Sequence, residues 1–151
     1  MKNLFKIAGI LFLSLFIDSC TKDDSPASSY SPPAVTIVSY KATLSGTNET
    51  TPNASTATGV GLLLYNSTTK IFTLSVTHTL ATATMGHIHR GAAGENGAVV
   101  FPFTTFTSPF VYTSAALYAA QEADLAAGLY YINLHSAAFP SGEIRGNLIK
   151  Q

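Results

Sequence analysis

Residues 70–80, KIFTLSVTHTL, are the most cleanly alternating stretch of the chain. A period of two puts Phe72, Leu74, Val76 and His78 on one face and Ile71, Thr73, Ser75 and Thr77 on the other. That pattern predicts a strand with one face in a core and the other in solvent. Such a strand needs partners, and the rest of the chain supplies candidates. Residues 35–44 (VTIVSYKATL) are β-branched and alternating, and read as a strand. Residues 57–65 (ATGVGLLLY) read as another, joined to 70–80 as a hairpin through the turn Asn66-Ser67-Thr68-Thr69; Gly59 and Gly61 predict a bulge or a close approach of neighbouring chain. Residues 86–90, 98–103, 129–136 and 143–149 read as further strands between Gly-, Pro- and Ser-containing loops, with Pro102 marking an edge or a strand end. A single helical stretch, 119–127, stops at Gly128; Tyr118 stands before it where Thr would make a better N-cap. The expected fold is all-β: a compact antiparallel β-sandwich or barrel with one short helix.

Charge and cysteine content narrow the function. Charged residues make up 11% of the chain and the formal net charge is zero. No basic stripe is available to hold phosphates, so no nucleic-acid partner is expected. The one cysteine, Cys20, excludes a disulfide framework and a multi-cysteine metal site. It closes a leader. Lys2 and Lys6 precede the apolar run 7–17, IAGILFLSLFI, which is too short to span the roughly 30 Å hydrocarbon core of a bilayer and suits a signal-peptide core. Ile17, Ser19 and Cys20 resemble a lipobox, with Asp18 as a departure from it. The expectation is that 1–19 form a lipoprotein signal peptide and that Cys20 becomes lipidated; each buried CH₂ of its acyl chains then contributes about 0.8 kcal/mol to membrane binding. The alternative is an ordinary secreted chain with an unmodified Cys20. The expected location is the cell envelope, lipid-anchored to the outer membrane. Thr21-Lys22-Asp23-Asp24 either resembles a surface-export signal of Gram-negative lipoproteins or is a solvated part of the tether. The Ser- and Pro-rich stretch 25–33 cannot bury apolar area, so 20–33 are expected to be a tether and 34–151 the folded domain.

Within that domain the motifs resemble one family. Ala42-Thr43-Leu44-Ser45-Gly46, Asn48-Glu49 and Pro52, followed by Ala57-Thr58-Gly59, look like the opening of a CHRD domain, the module repeated in chordin and found in bacterial secreted proteins. His87-Ile88-His89, the loop 91–97 (GAAGENG) and Val99-Val100-Phe101 look like its centre. Tyr131-Ile132-Asn133-Leu134-His135-Ser136, Pro140, Gly142-Glu143-Ile144-Arg145-Gly146 and Leu148 look like its close. Arg90 departs from the family's usual small residue. The resemblance covers about residues 39–149 and implies an extracytoplasmic β domain without a settled catalytic activity.

Three histidines carry the most chemistry. His87 and His89, two apart on one strand, point to the same face. His135 lies on another, with Asn133 on its face. Were those strands neighbours, the three imidazoles would converge on a site suited to Cu or Zn, and the His-x-His pattern thinly resembles copper-zinc superoxide dismutase. The alternative is that these rings are structural and hold the 91–97 loop through backbone carbonyls. Glu95 and Glu143 are the carboxylates available to the pair, and His78 reads as an ordinary strand residue. Glu143 and Arg145 share a strand face, as an anion clamp or, preferably, as a structural ion pair placing the last strand against the 91–97 loop. No nucleophile elbow, P-loop or metalloprotease motif is present. The sequence therefore points first to a non-enzymatic surface module for a protein or matrix partner, and second to a His-based metal-binding domain.

Overall fold

The computed structural model describes residues 34–151; the leader, Cys20 and the tether fall outside the described residues. Strands β1 (Ile37–Ser45), β2 (Thr58–Asn66), β3 (Ile71–His78), β4 (Met85–Arg90), β5 (Ala98–Pro102), β6 (Phe110–Thr113), β7 (Tyr130–His135), β8 (Ile144–Asn147) and β9 (Ile149–Lys150) are interrupted by one helix, α1 (Ala119–Ala126). They form a single sheet in the order β5-β4-β7-β8-β1-β2-β3-β6, with β9 beside β1, and every pairing is antiparallel.

The alternation in β3 does what its period requires: Phe72, Leu74, Val76 and His78 are buried, and Thr73, Ser75 and Thr77 are exposed. The hairpin turn is held by the Asn66 side chain, whose Oδ1 accepts from the amides of Thr68 (2.9 Å) and Thr69 (3.1 Å). β2 pairs in unbroken register with β1 and β3, so its glycines mark close packing and not a bulge. A Cβ at Gly61 would lie 2.4 Å from Ile132 Cδ1; the bare backbone lets a β7 side chain reach across the core.

The sheet curls until its ends approach each other. Phe103, just past β5, packs on Phe110 and Tyr112 of β6 at 5.3 and 5.2 Å between ring centroids, and Phe72 meets Phe101 of β5 edge-on at 5.1 Å. β5 and β6 share no ladder, so aromatic side chains close this half-barrel instead of backbone hydrogen bonds. Inside lie Leu44, Leu63, Leu74, Ile88, Ile132, Leu134 and Ile144.

Two segments differ from the expectation. β6 was not expected; it is only four residues long and follows a Thr-, Ser- and Pro-rich stretch. The single strand expected over 143–149 is two short strands: β8 lies between β7 and β1 and pairs with both, and β9 pairs with β1 alone. The break falls at Leu148, which is buried and donates its amide to Tyr130 O at 2.9 Å. α1 begins with a weak cap, in which Gln121 Oε1 accepts from the Tyr118 amide at 3.3 Å, and ends at Gly128 with φ +70°. Ion pairs Lys70–Glu122 (2.8 Å) and Arg90–Asp124 (2.6 Å) hold it to the sheet. Among the described residues no helix is long and apolar enough to cross a membrane.

The two halves of the sheet are covered differently. Along β1, β2 and β3 one face is core and the other solvent, leaving Val60, Leu62 and Leu64 exposed. β7 is buried at all six positions. Its inward side chains, Ile132 and Leu134, join the core; its outward ones, Tyr131, Asn133 and His135, lie under loops.

Candidate metal centre

β4 and β7 are neighbours in register, with Met85 opposite His135, His87 opposite Asn133 and His89 opposite Tyr131. Side chains alternate along each strand, so these six share the outer face while Ile88 and Ile132 point into the core. β8 continues that face with Arg145 opposite Asn133. Ring centroids are 5.4 Å apart for His87–His89 and 5.2 Å for His87–His135. One ring nitrogen from each of His87, His89 and His135 lies within 4.8 Å of the others. Bonds of about 2.0–2.1 Å to Zn in a tetrahedral site would place donors roughly 3.3 Å apart, so the three rings would draw together around an ion.

The hydrogen bonds decide which nitrogens are available. His89 Nδ1 is 2.9 Å from Gly97 O, and His135 Nδ1 is 3.0 Å from Pro140 O. A carbonyl only accepts, so each Nδ1 carries the proton and each Nε2 keeps a free lone pair. Those two Nε2 atoms, and Nδ1 of His87, are buried with no hydrogen-bond partner in the protein. An unpaired buried polar atom costs about 1–3 kcal/mol, and one metal ion would satisfy all three. His78 shows the contrast. Its Nε2 donates to Phe106 O at 2.8 Å and its Nδ1 accepts from the Leu80 amide at 3.2 Å; it is the ordinary strand residue expected.

Burial lowers the pKa of His87, and the adjacent His135 and His89 lower it further. Burial also lowers that of His89, with the Gly97 hydrogen bond opposing and His135 and Arg145 adding to the effect. Both shifts favour the neutral form that ligates metal.

Arg145 does not pair with Glu143. It is 1% exposed, donates from one terminal nitrogen to Glu95 O (2.7 Å) and Ala92 O (3.2 Å), and lies 3.5 Å over the Tyr131 ring. Tyr131 in turn stacks on His89 at 4.9 Å. β8 begins at Ile144, so Glu143 precedes the strand and does not share its side-chain alternation. The Glu143 carboxylate accepts instead from Ser55 Oγ at 2.6 Å. Arg145 still fastens the 91–97 loop, through backbone carbonyls. His89 does the same through Gly97, so that ring both anchors the loop and faces its two partners.

The carboxylate that enters this face is Glu49, not Glu95 or Glu143. Asn133 Nδ2 donates to both its oxygens, at 3.1 and 3.2 Å. Burial raises its pKa, opposed by the Asn133 hydrogen bond and by Arg145. Gly142 makes the approach feasible: its φ is +135°, and a Cβ there would stand 2.8 Å from both Asn133 Nδ2 and Glu49 Oε1. Sequence spacing does not single out Glu49 or Tyr131 as site residues, though both stand inside the family-like motifs.

An antiparallel half-barrel with an imidazole cluster under its loops defines a β-rich module built around an outer-face site. The chain belongs to the CHRD domain family, whose model matches residues 40–148. That span contains every residue of the cluster. No curated protein matches the chain, and no solved structure does. At the level of the family, membership supports a binding or structural module.

Proposed function

We propose that this chain is an exported, lipid-anchored envelope module without enzymatic activity, and that the ligand its domain holds is a transition-metal ion, copper or zinc, bound by His87, His89 and His135. The observation that carries the metal reading is the set of three buried ring nitrogens, two with their tautomer set by a carbonyl, close together and without protein partners. Imidazole suits Zn and Cu, and a carbonyl on the second ring nitrogen is the usual outer-shell arrangement for a ligating histidine. The non-enzymatic reading draws on the sequence, which carries no nucleophile elbow, P-loop or metalloprotease motif. The anchored reading rests on the leader and Cys20.

The full chain, purified from membranes in detergent and stripped with a chelator, should regain about one equivalent of Cu²⁺ or Zn²⁺. At a hundredfold excess over Kd, metal should raise stability by about 2.7 kcal/mol. His135→Ala should abolish both effects. Absence of uptake in the parent chain, or equal uptake by the variant, would remove the metal reading. For the anchor, Cys20→Ser in a Gram-negative host should eliminate labelling by radioactive palmitate; undiminished labelling would refute lipidation at that residue.

A further inference from the structure

Met85 is the unexplained member of the outer face. It is 44% exposed on β4, a strand that lies between β5 and β7 and is not an edge. It stands directly opposite His135 in the β4–β7 ladder and two residues before His87, so its side chain emerges on the imidazole side. Directly opposed residues have Cβ atoms about 4.5–5.5 Å apart. A methionine has three rotatable bonds and no branching with which to sweep that distance. The nitrogen cluster itself contains only His87, His89 and His135, and the Glu49 carboxylate on the same face is engaged by Asn133.

We infer that Met85 supplies the fourth ligand of this centre through its thioether sulfur, which makes the site selective for Cu(I) over Zn(II). This rests on the three-histidine reading above. The chemistry follows from the donor set. Zinc takes thiolate, imidazole and carboxylate donors and completes a three-histidine site with water, so a thioether adds little for it. Cu(I) is selected by soft sulfur. The four donors are all neutral, and the charged groups nearest them, Glu49 and Arg145, oppose each other, so burial penalises a monovalent ion less than a divalent one. Met85 is 44% exposed, so its side chain has room to turn toward an ion.

The test compares the full chain in detergent with its Met85→Leu variant, a swap of similar volume. Cu(I) affinity is measured anaerobically by competition with a chromophoric Cu(I) chelator, and Zn(II) affinity by competition with a zinc-sensitive dye. The expected result is a loss of Cu(I) affinity of tenfold or more, a change in Zn(II) affinity below twofold, and disappearance of the sulfur shell from the copper X-ray absorption spectrum. Equal Cu(I) affinity in both proteins, or parallel losses for both metals, would overturn the role of Met85 while leaving the histidine centre intact. Failure of the parent chain to bind either metal would overturn both.

Discussion

Arg145 shows how one side chain can serve several neighbours. A guanidinium at 1% exposure would be costly unless its donors and its flat face were used. Here one terminal nitrogen ties down two carbonyls of the 91–97 loop and the plane lies on Tyr131, which offsets part of that cost; Nε and the other terminal nitrogen are buried without hydrogen-bond partners. Lysine keeps the charge but has neither the fork nor the plane. Arg145→Lys should therefore lower stability by roughly 1–3 kcal/mol, seen as a lower urea midpoint with an unchanged slope, and should speed amide exchange at residues 91–97. A midpoint within error of the parent would show that the loop is held by other contacts. At this scale the sequence is legible where spacing is local. His87 and His89 share a face because they are two apart. Glu49 was not legible, because its partner Asn133 is 84 residues away and only the folded loop brings them together.

Among the elements, strand pairing converts three separate histidines into one cluster. β4 alone presents two imidazoles; the third arrives because β4 and β7 are adjacent and because Met85 and not Gly86 opposes His135. A slip by one residue would turn His135 toward the core and Leu134 outward. The register is secured by Ile88, Ile132 and Leu134, each fully buried on the opposite face. Apolar packing on one side of the strands thus sets the geometry of polar groups on the other. The same logic explains why the end of the chain forms two strands. The run 143–149 is continuous in β propensity, but Leu148 must enter the core, where its amide bonds to Tyr130 O, and this breaks the run into β8 and β9.

At the scale of the molecule, a sheet that closes without a ladder between its end strands depends on side chains to stay closed. Phe72 is the keystone: it is fully buried and touches Phe101 near one end and Tyr112 at the other. Phe72→Ala should cost about 3–5 kcal/mol, read from chemical denaturation, and should expose β5 and β6 amides to exchange before those of β1 and β2. Leu62→Ser, on the solvent face of β2, is the control and should change stability by no more than about 0.5 kcal/mol. A Phe72→Ala loss no larger than that of Leu62→Ser would show that the barrel is closed by something other than this aromatic layer.

The amino-acid sequence alone determined the all-β class, the faces of β3, the helix and its glycine stop, and the histidine candidates. Each of these follows from periodicity, from turn chemistry or from a motif, and all three act within a few residues. The tertiary structure decided which strands are neighbours, that His78 is satisfied and the other three rings are not, that Arg145 grips carbonyls instead of Glu143, and that Glu49 belongs to the face. These outcomes depend on burial and on contacts between distant segments. A side chain's free donors and acceptors are defined only once the chain has closed around them.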